Sequence, residues 1–424
     1  MGLRMRISLY AAGALWLAAG PVAAQSSARP AVPLTLAQAR AMARQSSPDV
    51  TAARAAVAAA VGREEQAGGF SNPALVYGRE QTSGENETTS QDVVSLNQPL
   101  DIFGQRSARR QAAARQRNAA EARLAGALAR VDYDVTRSYA AASATRRRAE
   151  LAQAVADAFI GAERVARTRL AEGDISGYEH RRLRLEAARY ASLRLEAAVA
   201  RDSALGILAS LIGWTDSLAA GDRLTLSDTL PPAALAYPID SLVARALAGR
   251  AELRAAELEI GVGEAEARLA GAERIPIPVI SGGYKSERLT TGARLGGFIA
   301  GLSLALPLWD RRGGAVAAAR AETARRTAEA ESLRQRSIRE VRTAYQSHQA
   351  LASELALLRS HLGDEAATAR RAAETAYAEG EISLLEWLDS VRAYQEAESL
   401  YVTLWSEYVT RRAALERLTG LTLF

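Results

Sequence analysis

The chain has 424 residues, a formal net charge of +5, three histidines and no cysteine. The missing cysteines exclude disulfides, thiolate metal sites, Cys nucleophiles and a lipid anchor on an N-terminal Cys. The histidines (His180, His348, His361) show no HxH or HxxxH spacing, so no metal and no cofactor is expected. Acidic and basic residues are interspersed, which leaves nucleic acid no footprint, and 5% aromatics in an Ala-rich chain favour slender, closely packed helices over one large core.

In chain order, residues 1–24 read as a secretory signal peptide: Arg4 and Arg6 precede an apolar run from Ile7 to Ala19, and VAA at Val22–Ala24 is a small-residue cleavage site. The run falls short of the ~20 residues a spanning helix needs. Residues 25–34, with Pro30 and Pro33, read as a linker. A helix follows from Thr35 to Gly68, its Ala, Val and Leu at helical spacing. Two strands, Ala74–Glu80 and Ser90–Phe103, are split by polar GENETTS and make a β-hairpin over 72–103. A very long helix spans Gln105 to Glu172, on the order of 100 Å if straight. It is interrupted by AEGDIS at 171–176, and a returning helix runs from Ser176 to Gly213.

After a linker at 224–238 the order repeats: a helix from Ile239 to Gly271, strands Pro278–Glu287 and Gly297–Trp309 in a hairpin over 276–309, a long helix from Arg311 to Glu379, AEGEIS at 378–383, and a return from Ser383 to Gly420. Landmarks keep one spacing: Gly173 to Gly380 is 207, Gly213 to Gly420 is 207, and Pro99 to Pro307 is 208. SSPDV at 46–50 matches GRAEL at 249–253 less closely, at an offset of 203. The mature chain therefore reads as two copies of one unit of about 180 residues, 35–223 and 239–424.

Each AEG(D/E)IS is read as the tip of a helical hairpin. Gly173 and Gly380 can take positive φ at the reversal, and Ser176 and Ser383 cap the returning helices with Glu179 and Glu386 three residues on. Turn chemistry leaves Ile175 and Ile382 unexplained. As apolar residues on a turn expected to be wet, they are candidate docking contacts. The returning helix of the second unit carries an apolar stripe through Leu384, Leu388, Val391, Tyr394 and Tyr401 in steps close to a coiled-coil seam. In the last strand Phe298, Leu302, Leu304 and Leu306 share one face, while Gly301, Ser303 and Ala305 lie on the other. A membrane barrel strand and a strand of a soluble sandwich both give this alternation; the signal peptide and the polar hairpin tips favour the barrel.

The stretches LTLAQARAMARQSSPDV, SNPALVYGRE, LNQPLDIFGQR and YAEGEISLLEWLDS, set in this doubled order over nearly the whole mature chain, resemble the TolC family of outer-membrane efflux channels. SNPAL and QPLDIFGQRSARR look most like its CzcC-type, heavy-metal subgroup. The resemblance implies an α+β membrane protein: coiled-coil helical hairpins plus two β-hairpins per chain, with a homotrimer sharing a 12-stranded barrel and a periplasmic tunnel. It implies a passive exit duct in the outer membrane of a Gram-negative-type cell. A periplasmic adaptor (membrane fusion protein) would grip the tips at Gly173, Ile175, Ser176, Gly380, Ile382 and Ser383. An inner-membrane transporter of RND type would drive export, with heavy-metal cations as the cargo implied by the subgroup.

Physics agrees with the assembly, since four strands cannot close a barrel and open edges cannot sit in lipid. In that family acidic residues past the second tip line a periplasmic constriction. Glu386 and Asp389 match that place, on one helix face, with Glu179 as the counterpart in the first unit. A solvated face with a capping Glu accounts for the same residues. A basic residue that locks some relatives is replaced here by Ile382. Other readings of the chain are a type I protein-secretion or drug-export channel and a soluble secreted coiled-coil scaffold. No phosphate loop, nucleophile elbow or metal-spaced cluster points to an enzyme.

Overall fold

A computed structural model describes residues 32–85, 87–214, 224–227 and 235–424, so the signal peptide read at 1–24 and most of the 25–34 segment lie outside the described residues. The elements are β1 (Val32–Leu34), α1 (Leu36–Ser46), α2 (Pro48–Gly68), β2 (Ala74–Ser83), β3 (Thr88–Pro99), α3 (Gln105–Glu172), α4 (Gly177–Leu211), β4 (Leu224–Leu226), α5 (Ile239–Gly249), α6 (Ala251–Ala272), β5 (Val279–Arg288), β6 (Arg294–Ser303), α7 (Gly313–Glu379) and α8 (Leu384–Thr419). The same order thus occurs twice. Gly213 and Gly420, 207 residues apart, both adopt positive φ, at 72° and 69°.

Several expectations from the sequence need correction. Each helix read at 35–68 and 239–271 is two helices. Ser47 is extended (φ −62°, ψ 125°) because it precedes Pro48, whose ring excludes the helical region for its neighbour, and Pro48 then opens α2. Arg250 takes the same extended geometry between α5 and α6. The segments read as linkers also hold structure: Val32–Leu34 and Leu224–Leu226 pair in parallel, Val32 opposite Leu224. This two-stranded sheet lies over a core of Leu34, Tyr139, Leu205, Leu208, Ile212, Leu224 and Leu226. Tyr139 donates its hydroxyl proton to the Leu34 carbonyl at 2.9 Å, and Arg146 donates to the Leu226 carbonyl at 2.8 Å.

The barrel strands form one antiparallel sheet in the order β2-β3-β5-β6, in which the β3–β5 pairing joins the two units and leaves β2 and β6 as free edges. The strand read through Trp309 ends at Ser303, so Leu304 and Leu306 lie beyond β6. Past the Val279–Ser303 pair the partner strand runs back into Pro278 and Pro276, which have no N–H to offer a ladder. Likewise β3 stops at Pro99, short of Phe103.

From the sheet α3 (68 residues) and α7 (67 residues) run away as single helices, on the order of 100 Å each. They turn at the tips, and α4 and α8 return along them. Among the described residues no helix is long and apolar enough to cross a membrane.

Candidate functional site: hairpin tips and barrel strands

Both tips follow from local chemistry. Gly173 and Gly380 sit at φ 84° and 82°. Behind each, a Schellman pair closes the helix: Asp174 N–H donates to the Arg169 carbonyl at 2.8 Å and Glu381 N–H to that of Ala376 at 2.9 Å. Capping boxes then start α4 and α8. Ser176 N–H donates to Glu179 at 2.9 Å and Ser383 N–H to Glu386 at 2.8 Å, while the glutamate N–H groups return bonds to the serine hydroxyls at 3.2 and 3.3 Å. The Ser383 N–H, followed by its hydroxyl, holds the Glu386 carboxyl below its usual range, so it stays ionised.

The isoleucines are not bare. Ile175 and Ile382 are half-buried, packed on a cluster of Leu183, Tyr190, Tyr377, Leu384, Trp387 and Leu388, so intramolecular packing accounts for both apolar residues. Asp389 is exposed and lies 3.9 Å from Arg392, which also pairs with Glu186 on α4 at 3.1 Å. The two tips touch through residues that the sequence reading did not single out. Arg169 donates to the Tyr377 carbonyl at 3.4 Å and lies over its ring at 5.7 Å. Phe159 stacks on Tyr190 (4.5 Å between centroids) and meets Trp387 edge-on at 4.9 Å. The available signal was aromatic scarcity: a chain with 5 Trp and 5 Phe that places both types near its tips has spent them there for a reason.

At the other end the register aligns one apolar face across all four strands. Tyr77, Val94, Tyr284 and Phe298 form one row; the next same-face row is Leu75, Leu96, Gly282 and Ala300, and beyond it Ile280 faces Leu302. These side chains are solvent-exposed, Phe298 by 93% and Leu302 by 73%. The row on the other side of Tyr77 is polar, with Arg79 opposite Asp92. Of the expected lipid-facing residues, Phe298 and Leu302 belong to this face, and the register adds partners that no single strand revealed. Among the described residues no group of three or more His, Asp and Glu is placed to hold a metal ion.

Residues 242–421 match the family model described as "Outer membrane efflux protein". The cobalt-zinc-cadmium resistance protein CzcC of Cupriavidus metallidurans is 28% identical over 282 residues, 66% of this chain. The match spans 65% of that relative's own length. Among solved structures, CusC superposes with a TM-score of 0.74 at 16% identity, covering 92% of this chain and 93% of CusC. The outer membrane protein VceC of Vibrio cholerae gives 0.70 at 20% identity, covering 91% of this chain and 96% of VceC. The chain shares its fold with CusC and VceC.

One end of the long hairpins thus carries a greasy sheet with two open edges, β2 and β6. The tips carry Glu179 and Glu386 at matching positions of the repeat, with Asp389 three residues past Glu386. The two glutamates are engaged as caps, and Asp389 is exposed beside Arg392.

Proposed function

We propose that this chain is the outer-membrane exit duct of a tripartite efflux system, a homotrimer whose sheets close one barrel and whose hairpins line a periplasmic tunnel. The observation that carries the reading is the apolar face shared by β2, β3, β5 and β6, with unpaired edges at β2 and β6. Hydrocarbon tolerates neither exposed edges nor an unclosed sheet, and pairing β6 of one copy with β2 of the next satisfies both. The signal peptide delivers the chain to the periplasm for insertion into outer-membrane lipid.

A periplasmic adaptor grips the tips around Gly173, Ile175, Ser176, Gly380, Ile382 and Ser383 and joins the duct to an inner-membrane transporter of RND type. Conduction is passive; the pump supplies the energy. Similarity to a cobalt-zinc-cadmium resistance protein supports divalent heavy-metal cations as cargo. Glu386 and Asp389 of three copies, with Glu179 nearby, form an acidic constriction that favours cations. Adaptor binding shifts the duct toward its open form by preferring it.

Two measurements test this. Particle mass in detergent should be that of a trimer, in the outer-membrane fraction. Deletion of the gene should lower tolerance of cobalt, zinc or cadmium, with restoration by the intact gene. A monomer in the soluble fraction would overturn the duct, and unchanged metal tolerance would overturn the cargo.

A further inference from the structure

The apolar face of the sheet ends at a definite level. Tyr77 and Tyr284 stand in the row of Val94 and Phe298, and both phenols lean toward the hairpin turns. Tyr77 donates its hydroxyl proton to Asp92, one row nearer the turn, at 2.8 Å. The Tyr284 hydroxyl lies over Gly296, where any side chain would collide with it, and Gly296 is two residues nearer the turn than Phe298. Aromatic rings with their polar ends aimed one way mark a boundary between hydrocarbon and water.

Past that boundary the same face carries Gln81, Ser90, Arg288 and Arg294 in one row. Arg288 and Arg294 stand directly opposite each other and are both exposed. The adjoining pair is bonded, Leu289 N–H donating to the Ala293 carbonyl at 2.9 Å, so the arginines hold the non-hydrogen-bonded place, where side chains come closest. Like charges so placed repel. Among the described residues neither arginine has an acidic partner. Asp92, one row away, is engaged by Tyr77 and lies 3.9 Å from Arg79. On the opposite face of the sheet, by contrast, Lys285 pairs with Glu287 at 3.3 Å. The sheet neutralises its cation on one face and leaves two guanidinium groups uncompensated on the other.

The height of the pair matters. Arg294 is four residues from Phe298 along β6, about 13 Å of strand and roughly 10 Å along the membrane normal at a barrel strand's tilt. The headgroup layer adds about 5–8 Å to the hydrocarbon on each side, within reach of an arginine side chain.

We propose that Arg288 and Arg294 form a phosphate-binding site on the barrel wall for a phosphorylated glycolipid of the outer leaflet. The two guanidinium forks grip the phosphate, and the acyl chains lie on Phe298 and Leu302. The proposal rests on the barrel reading above, which sets the hairpin turns outside the cell and this face against lipid. A guanidinium matches phosphate oxygens with paired N–H groups, and a bound phosphate turns the repulsion of the two arginines into attraction. Gln81 and Ser90 in the same row, with Ser286 one row below, offer neutral hydrogen-bonding groups that suit a sugar headgroup. Threefold closure repeats the site three times around the barrel.

Native mass spectrometry of the full-length protein in detergent reads oligomer mass and bound lipid together. The probes are bisphosphorylated lipid A, the same glycolipid with its phosphates removed, and phosphatidylglycerol. The native protein should hold the phosphorylated glycolipid about tenfold or more tightly than the dephosphorylated one, as charge-assisted hydrogen bonds imply. Lys285→Gln, on the opposite face, should keep that ratio. Arg288→Gln/Arg294→Gln should lose it while remaining a trimer. Arg288→Gln alone, the milder change should the double variant not assemble, should lower the ratio part-way. An unchanged ratio in the arginine variants, or phosphatidylglycerol bound as tightly as the phosphorylated glycolipid, overturns the site. A native protein that is a monomer by mass overturns the barrel reading beneath it.

Discussion

His348 shows how one buried side chain ties stability to pH. It is fully buried on α7, its ring 4.6 Å from that of Tyr408, and neither ring nitrogen has a hydrogen-bond partner. Burial first, and then the charge of Arg412, holds its pKa down to about 4, so the folded protein keeps it neutral. The unfolded chain takes up that proton near pH 6.5, the ordinary value. Stability from this residue is therefore complete above pH 6.5 and is lost as pH falls from 6.5 toward 4, on the order of 3 kcal/mol in all. Thermal unfolding of the detergent-solubilised protein should show melting temperatures declining over that window, and His348→Phe should flatten the decline. An unchanged slope in the variant would assign the pH dependence elsewhere. Sequence showed His348 to be isolated from other ligands but not that it is buried, because burial is decided by α8, some 60 residues away in the chain.

Among the elements, the strand β6 illustrates the limit of a pattern. The alternation of apolar residues runs on through Leu308, yet pairing stops at Ser303, because a strand needs a partner with N–H groups and the facing segment turns to prolines. The sheet therefore distinguishes residues that the pattern treated alike. If the barrel forms as proposed, Leu302→Arg places a charge on the lipid face of a paired strand, at a cost of about 2–4 kcal/mol near the bilayer centre. It should reduce the outer-membrane fraction of the protein sharply, whereas Leu304→Arg, beyond the strand, should reduce it less. Membrane fractionation with immunoblotting compares them, and equal loss would place Leu304 at the same depth as Leu302. The tips were more legible. Gly173, Ser176 and Glu179, repeated as Gly380, Ser383 and Glu386, act through neighbours within a few residues, and each forms the cap its spacing implied. The α1/α2 break was written at Pro48, while that at Arg250 has no proline and was not.

For the whole molecule, the proposed constriction would belong to the assembly. Glu386 is held ionised by its capping bonds and Asp389 is exposed one turn on, so in the proposed trimer three copies would bring six carboxylates to one ring. Replacing both by alanine should lower the cation-to-anion permeability ratio in planar bilayers under a salt gradient, with the unitary conductance still observable. An unaltered reversal potential would remove the ring from the selectivity of the duct. Glu386→Ala also removes a helix cap, so Asp389→Ala alone gives the cleaner electrostatic reading.

The sequence by itself determined the doubled order of elements, the helical reversals at the two tips and the apolar face of β6. These depend on dihedral preference, capping and side-chain period, which act between residues close in the chain. Only the tertiary structure decided that the segments around Val32–Leu34 and Leu224–Leu226 pair with each other, that Ile175 and Ile382 are covered, and that Phe159, Tyr190 and Trp387 lock the two hairpins together. Those contacts join residues far apart in the chain, and their strength comes from surface removed from water, which no local spacing records.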